Sequence, residues 1–196
     1  MPGLTIVPNT DGLANVVAVL PELLLTVLAV AIVLLDAFWP ESRRRQLGYI
    51  AAFGAFATAA VTLLLTPPGS NAQFVLGGMI RDDGLSQLFR VIVIIGAGLA
   101  SLISMDSPGI GRRGEFYAVL LVATIGTCFM SSAADLIMVF IALETTSISL
   151  YILAGFLRNN ARSTEAGMKY FLFGAFTSAI MLYGFSLLYG FTKQTN

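Results

Sequence analysis

Polar residues in this chain gather into short islands, separated by helix-length runs that are almost free of charge. A helix needs roughly 20 apolar residues to cross a hydrocarbon core about 30 Å thick. Six stretches meet that length: 14–38, 47–66, 85–105, 115–134, 135–157 and 165–190. The pattern predicts an all-α membrane protein, a single transmembrane helical domain over residues 1–196 with six crossing helices. Trp39 and Pro40 read as an interface anchor and a stop for the first span. The residues before it carry no Lys or Arg and no small-residue cleavage site, so this span is expected to be retained rather than removed as a signal peptide.

The connections are short. Residues 131–135 leave so little chain that the fourth and fifth spans must be antiparallel neighbours, and Ser132 with Asp135 fits a capping box. Residues 67–84 are too broken by Gly and Pro to span. Gln73 to Met79 reads as an extended or hairpin element on the outer surface, and Asp83 as the N-cap of the third helix. Asp82 and Asp83 otherwise read as a solvated helix start.

Composition agrees: 57% of residues are hydrophobic and 11% charged, against about 25% charged in a soluble domain. With no histidine and one cysteine, Cys128, this chain alone cannot build a Cys/His zinc site, an iron–sulfur cluster or histidine-ligated haem. Cys128 is expected to pack as a small apolar residue. Net charge is zero, so position matters more than number. Arg43, Arg44, Arg45, Arg112, Arg113, Arg158 and Arg162 lie on the odd-numbered connections, whereas Arg81 stands alone on the second and Arg90 just inside the third span. The positive-inside rule then puts the odd connections in the cytoplasm and the N-terminus outside it.

The candidate chemistry centres on Glu144, within two residues of the midpoint of the run from Asp135 to Leu157. An ionisable side chain there costs about 2.5–3.5 kcal/mol on insertion scales, which makes it a functional-site hypothesis. Ser147 and Tyr151, at i+3 and i+7, share its face. Two readings stand: a charge-handling group, or a protonated acid acting as helix–helix glue. Thr124, Thr127, Cys128 and Ser131 form a polar stripe on the fourth span that either faces Glu144's helix and holds water or joins helices in the ordinary way. Gly54, Thr58 and Thr62 on the second span, and Gly96, Gly98 and Ser101 on the third, read as close-packing faces. Glu165 and Lys169 are an i,i+4 ion pair in the favourable order, with Lys169 about 7 Å into the last span. That lysine either snorkels to the interface or handles protons. Glu22, toward the outer end of the first span, is expected to reach the interface and to be structural.

Leu143-Glu144, Ser147 and Leu150-Tyr151, then Ser163-Thr164-Glu165-Ala166-Gly167-Met168-Lys169-Tyr170-Phe171, Gly174-Ala175, Leu182-Tyr183-Gly184 and Leu188-Tyr189-Gly190, closely resemble the N-subunit family of bacterial proton-pumping NADH-quinone oxidoreductase, respiratory complex I. The resemblance implies the N-terminal portion of an antiporter-like helical bundle, built from inverted repeats with broken helices. It also implies proton translocation coupled to NADH oxidation and quinone reduction, with Glu144, Lys169 and Glu165 as proton-transfer residues. Under it this chain carries no cofactor or metal; NADH, FMN, iron–sulfur clusters and quinone belong to other subunits. The implied partners are the other membrane-arm subunits, the lipid bilayer and, through the complex, quinone, with no nucleic acid. The implied location is the cell inner (plasma) membrane, multi-pass. Thr145, Thr146 and Ser149 depart from the apolar residues and proline usual around this glutamate, and Lys193 stands where glycine is common. The family's central lysine falls on a helix beyond residue 196. Rival readings are a subunit of a multisubunit sodium/proton antiporter or membrane-bound hydrogenase, and a non-catalytic scaffold.

Overall fold

The computed structural model describes residues 12–65 and 73–195, so the expectations for the leading residues, for position 66 and for 67–72 lie outside the described residues. Helices α1 (Gly12–Ala18), α2 (Leu20–Phe38), α3 (Gln46–Leu65), α4 (Gly84–Ser104), α5 (Gly114–Ser132), α6 (Leu136–Ala154) and α7 (Ala161–Thr192) account for most of it. All but α1 are long and apolar enough to cross a membrane, which makes this an all-α, multi-pass membrane protein.

The first span is not continuous. Helix breaks at Val19 (φ −106°, ψ 11°), and Pro21 explains it. Proline has no N–H to donate four residues back and its ring collides with that carbonyl, but in the first turn of a new helix neither defect matters. Trp39, expected at the interface, is half-buried against the core, and its extended backbone precedes Pro40 as the following ring demands.

Helices α2 to α5 pack around Leu25, Ile32, Leu47, Ala51, Ala55, Ile94, Tyr117 and Leu121, with Cys128 buried among them as expected. Thr58, Thr62 and Ser101 are buried, each hydroxyl bonded to the carbonyl four residues back, and a Cβ on Gly98 would meet the Phe56 ring at 2.7 Å. Gly96 does not share this role, since it is exposed with nothing within 4 Å of a built Cβ.

Between α3 and α4, β1 (Gln73–Val75) pairs antiparallel with β2 (Ile80–Asp82), Val75 opposite Ile80. The turn runs through positive φ at Leu76, Gly77 and Gly78. This hairpin is more than a surface feature: Val75 and Ile80 are buried, Ile80 bridges Ala133, and the Ala134 N–H donates to the Met79 carbonyl at 2.8 Å. Asp83 caps α4 in a reciprocal box with Ser86, as its sequence predicts. The box expected from Ser132 to Asp135 does not form. Ser132 still belongs to α5, and Asp135 is itself the N-cap of α6, accepting from the Ile137 and Met138 N–H groups at 2.7 and 3.3 Å. The last helix starts earlier than expected because Asn160 caps it, and it ends on Lys193 at φ 57°.

Candidate functional site

On α6, Ala142, Thr146 and Ser149 turn toward the rest of the bundle. A Cβ on Gly126 of α5 would lie 2.5 Å from the Thr146 hydroxyl, so the two backbones approach as closely as a missing side chain allows. Thr127 is the member of the α5 stripe that meets α6, its hydroxyl 3.5 Å from that of Thr146. Thr124, Thr127 and Ser131 each donate to a carbonyl of their own helix, so the stripe is spent on packing and does not converge on Glu144.

Glu144 stands two residues from both Ala142 and Thr146, more than half a turn round a helix of 3.6 residues per turn. Its face is the one that carries Tyr151, which packs edge-on to Tyr170 and Phe171 of α7 at 4.8 and 6.0 Å between ring centroids. The side chain is half-buried, and Oε1 is shut away from solvent with no hydrogen-bond partner among the described residues.

Lys169 and Glu165 form the expected i,i+4 pair, 66% and 62% exposed. An exposed pair of this kind contributes little stability. Gly167, midway between them, faces α6, where a built Cβ would lie 2.7 Å from the Gly155 Cα. Two residues to either side is over half a turn, so Glu165 and Lys169 look away from α6. Taking Gly155 and Gly167 as level, a rise of about 1.5 Å per residue sets Glu144 about 16 Å and Lys169 about 3 Å below them. A depth difference of about 13 Å rules out a direct ion pair. The residues singled out from sequence therefore fall into an α6–α7 carboxyl and an outward-facing α7 pair, not one cluster.

A second charged constellation escaped the sequence reading. Arg90 is fully buried: its Nε lies 3.0 Å from Glu22 Oε1, Nη1 donates to the Ala18 carbonyl at 3.0 Å and lies 3.5 Å from Asp82 Oδ1, and Nη2 donates to the Ser132 hydroxyl at 3.0 Å. The Gln87 amide also bonds Asp82. Glu22 is 2% exposed and so does not reach the interface, and Asp82, with 18% of its side chain exposed, is no solvated helix start. Arginine stays charged in any protein environment, so a buried one must be met by carboxylates and carbonyls. The signal was present in sequence: an acid inside one apolar span and a base inside another, each expensive alone, invite pairing.

At the other end of the bundle, Arg44 lies 3.3 Å from Asp36, Arg45 is 2.7 Å from Asp106, and Asp36 accepts from the Gly114 N–H at 3.2 Å. Asp36, Arg44, Arg45 and Asp106 line an open charged cleft of about 720 Å³ together with Arg112 and Arg113. Arg113 lies over the Phe156 ring, at 5.9 Å from its centroid. Among the described residues no three His, Cys, Asp or Glu side chains group as metal ligands would.

Residues 133–196, the part that holds Glu144, Glu165 and Lys169, match the family described as NADH:quinone oxidoreductase/Mrp antiporter, TM. Nearly the whole chain is similar to NADH-quinone oxidoreductase subunit N of Desulfovibrio desulfuricans, with 39% identity over 186 residues, 94% of this chain and 36% of the relative. Subunit N of Trichlorobacter lovleyi is 40% identical over 185 residues, 92% of this chain and 37% of the relative. Among solved structures, respiratory complex I from Thermus thermophilus with bound aureothin superposes with a TM-score of 0.72 at 30% identity, covering 89% of this chain and 38% of that one. An archaeal membrane-bound sulfane sulfur reductase superposes at 0.68 with 21% identity over 92% of this chain and 38% of that one, a likeness of fold alone. These matches bear out the resemblance read from the Gly167-Met168-Lys169-Tyr170-Phe171 run and its surroundings. The chain spans somewhat over a third of the length of the curated relatives it matches.

Proposed function

We propose that this chain is the N-terminal part of a membrane-arm subunit of a proton-translocating NADH-quinone oxidoreductase, and that Glu144, Lys169 and Glu165 take part in proton transfer. The observation that carries the reading is the similarity to subunit N along almost the entire chain. The geometry gives it chemical content. Glu144 stands at mid-span with Oε1 shut away from solvent, so it exchanges a proton only through a group that moves up beside it. Lys169 is too far away to do this directly, so water or a further side chain relays between them. Each elementary charge moved against the membrane potential costs about 2.3 kcal/mol per 100 mV, energy that comes from redox subunits and not from this chain. In this reading NADH, FMN, iron–sulfur clusters and quinone are held by those other subunits, and the chain's partners are its neighbours in the membrane arm. The location is the inner (plasma) membrane, with the arginine-bearing end in the cytoplasm and the N-terminus on the opposite side.

The test is Glu144→Gln in the full-length subunit within the assembled complex. It keeps shape and hydrogen bonding and removes the titratable proton. The complex is expected to assemble, with both dye-reported proton uptake into inverted vesicles and NADH-quinone turnover reduced. Uptake equal to that of the unaltered complex would leave Glu144 as helix–helix glue. Lys169→Ala is expected to lower uptake less, because an exposed ammonium is partly replaceable by water.

A further inference from the structure

We infer that the cleft between α5, α6 and α7, at the end of the bundle that carries the arginines, is a binding site for one anionic phospholipid. The cleft has a volume of about 510 Å³, within the range of small-molecule sites. Its chemistry changes with depth. Arg113, the N-cap of α5, and Arg158, just beyond α6, stand at the mouth with Thr164. Further along the helices the wall becomes apolar, through Val119, Ile152 and Phe171.

Neither guanidinium is paired with a carboxylate among the described residues, although Arg44 and Arg45 nearby both are. Arg113 is instead held over the Phe156 ring, which orients its donors without neutralising them. Glu115 also lines the cleft and opposes an anion, but one carboxylate faces two guanidiniums. Basic pockets between transmembrane helices beside an apolar slot match a lipid phosphate with its acyl chain attached. A free phosphate would leave the apolar wall bare, and a lipid with no net charge would gain less from the two arginines. The assignment does not depend on the proton-transfer reading above.

Native mass spectrometry of the detergent-purified full-length subunit tests it, with dioleoylphosphatidylglycerol and dioleoylphosphatidylcholine as probes that share acyl chains and differ in net charge. The phosphatidylglycerol adduct is expected to survive activation in preference to the phosphatidylcholine one. Arg113→Gln and Arg158→Gln should each lower phosphatidylglycerol retention about fivefold, as the loss of one cation near a membrane surface predicts. Ile152→Trp, which fills the apolar part, should lower retention with both arginines intact. All three positions are exposed, so circular dichroism should report unchanged helix content. Equal retention of the two lipids, retention unaltered in the arginine variants, or displacement of the lipid by millimolar inorganic phosphate alone would overturn the assignment.

Discussion

At the scale of single residues, Arg90 shows what a membrane-buried charge demands. Its guanidinium has no exposed surface and touches two carboxylates, a carbonyl and a hydroxyl drawn from α1, α2, β2 and α5. Breaking such a pair by removing one partner leaves the other charge uncompensated, at a cost of about 3–5 kcal/mol. Arg90→Met should therefore lower the unfolding free energy in detergent by that amount, and adding Glu22→Met should restore much of it. If the single variant unfolded with the unaltered midpoint, the constellation would not be holding the break at Val19 in place. Lys193 is a smaller case. Its φ of 57° is left-handed, a conformation that costs an L-residue about 1–2 kcal/mol and glycine almost nothing. Lys193→Gly should raise stability by about 1 kcal/mol in the same unfolding measurement.

At the scale of elements, contact between helices is set by where side chains are absent. Gly126 lets α5 lie against Thr146 and the Ala142 carbonyl, and Gly167 lets α7 lie against Gly155. A methyl at 126 would sit 2.5 Å from the Thr146 hydroxyl and 2.8 Å from its backbone nitrogen, so Gly126→Ala must push α6 away. Over-packing of this kind costs about 1–3 kcal/mol. Gly96→Ala provides the contrast, because nothing lies within 4 Å of its new methyl. Helix propensity should make that change favourable by about 0.5–1 kcal/mol. Equal effects of the two substitutions on thermal unfolding would contradict the packing described for α5 and α6.

At the scale of the whole molecule, the charged residues other than Glu144 sort toward its two ends. The Arg45–Asp106 pair, the Asp36–Gly114 bond and the Arg113–Phe156 contact tie the arginine-bearing connections together at one end. The hairpin and the α5–α6 turn close the other, joined by the Ile80–Ala133 bridge. With Cys128 replaced by Ala, single cysteines at Arg44, Arg112 and Arg162 should resist a membrane-impermeant thiol reagent in whole cells, while one at Ala133 is labelled. The reverse pattern would invert the proposed orientation. Along α7, Phe173, Phe176 and Phe191 are 73%, 67% and 87% exposed, as suits a helix with lipid or protein on its outer side.

The number of spans, their approximate limits, the N-cap at Asp83 and the Glu165–Lys169 pair were all legible in the linear sequence. Each follows from a local cause: the length of an apolar run against the thickness of a bilayer, a side chain within reach of its own helix's N–H groups, or the 3.6-residue turn. Even the break near Pro21 had a local cause that could have been read. The fate of Glu22, Asp82 and Arg90 was not legible, because their contacts join residues far apart in the chain, and whether a charge meets solvent or a counter-charge depends on which helices adjoin. Sequence alone also placed Glu144 at mid-span and left its surroundings open. Tertiary packing decided that its face turns toward α7 while Lys169 turns away, since the side of a helix that becomes interior is chosen by where small residues such as Gly126, Gly155 and Gly167 let backbones meet.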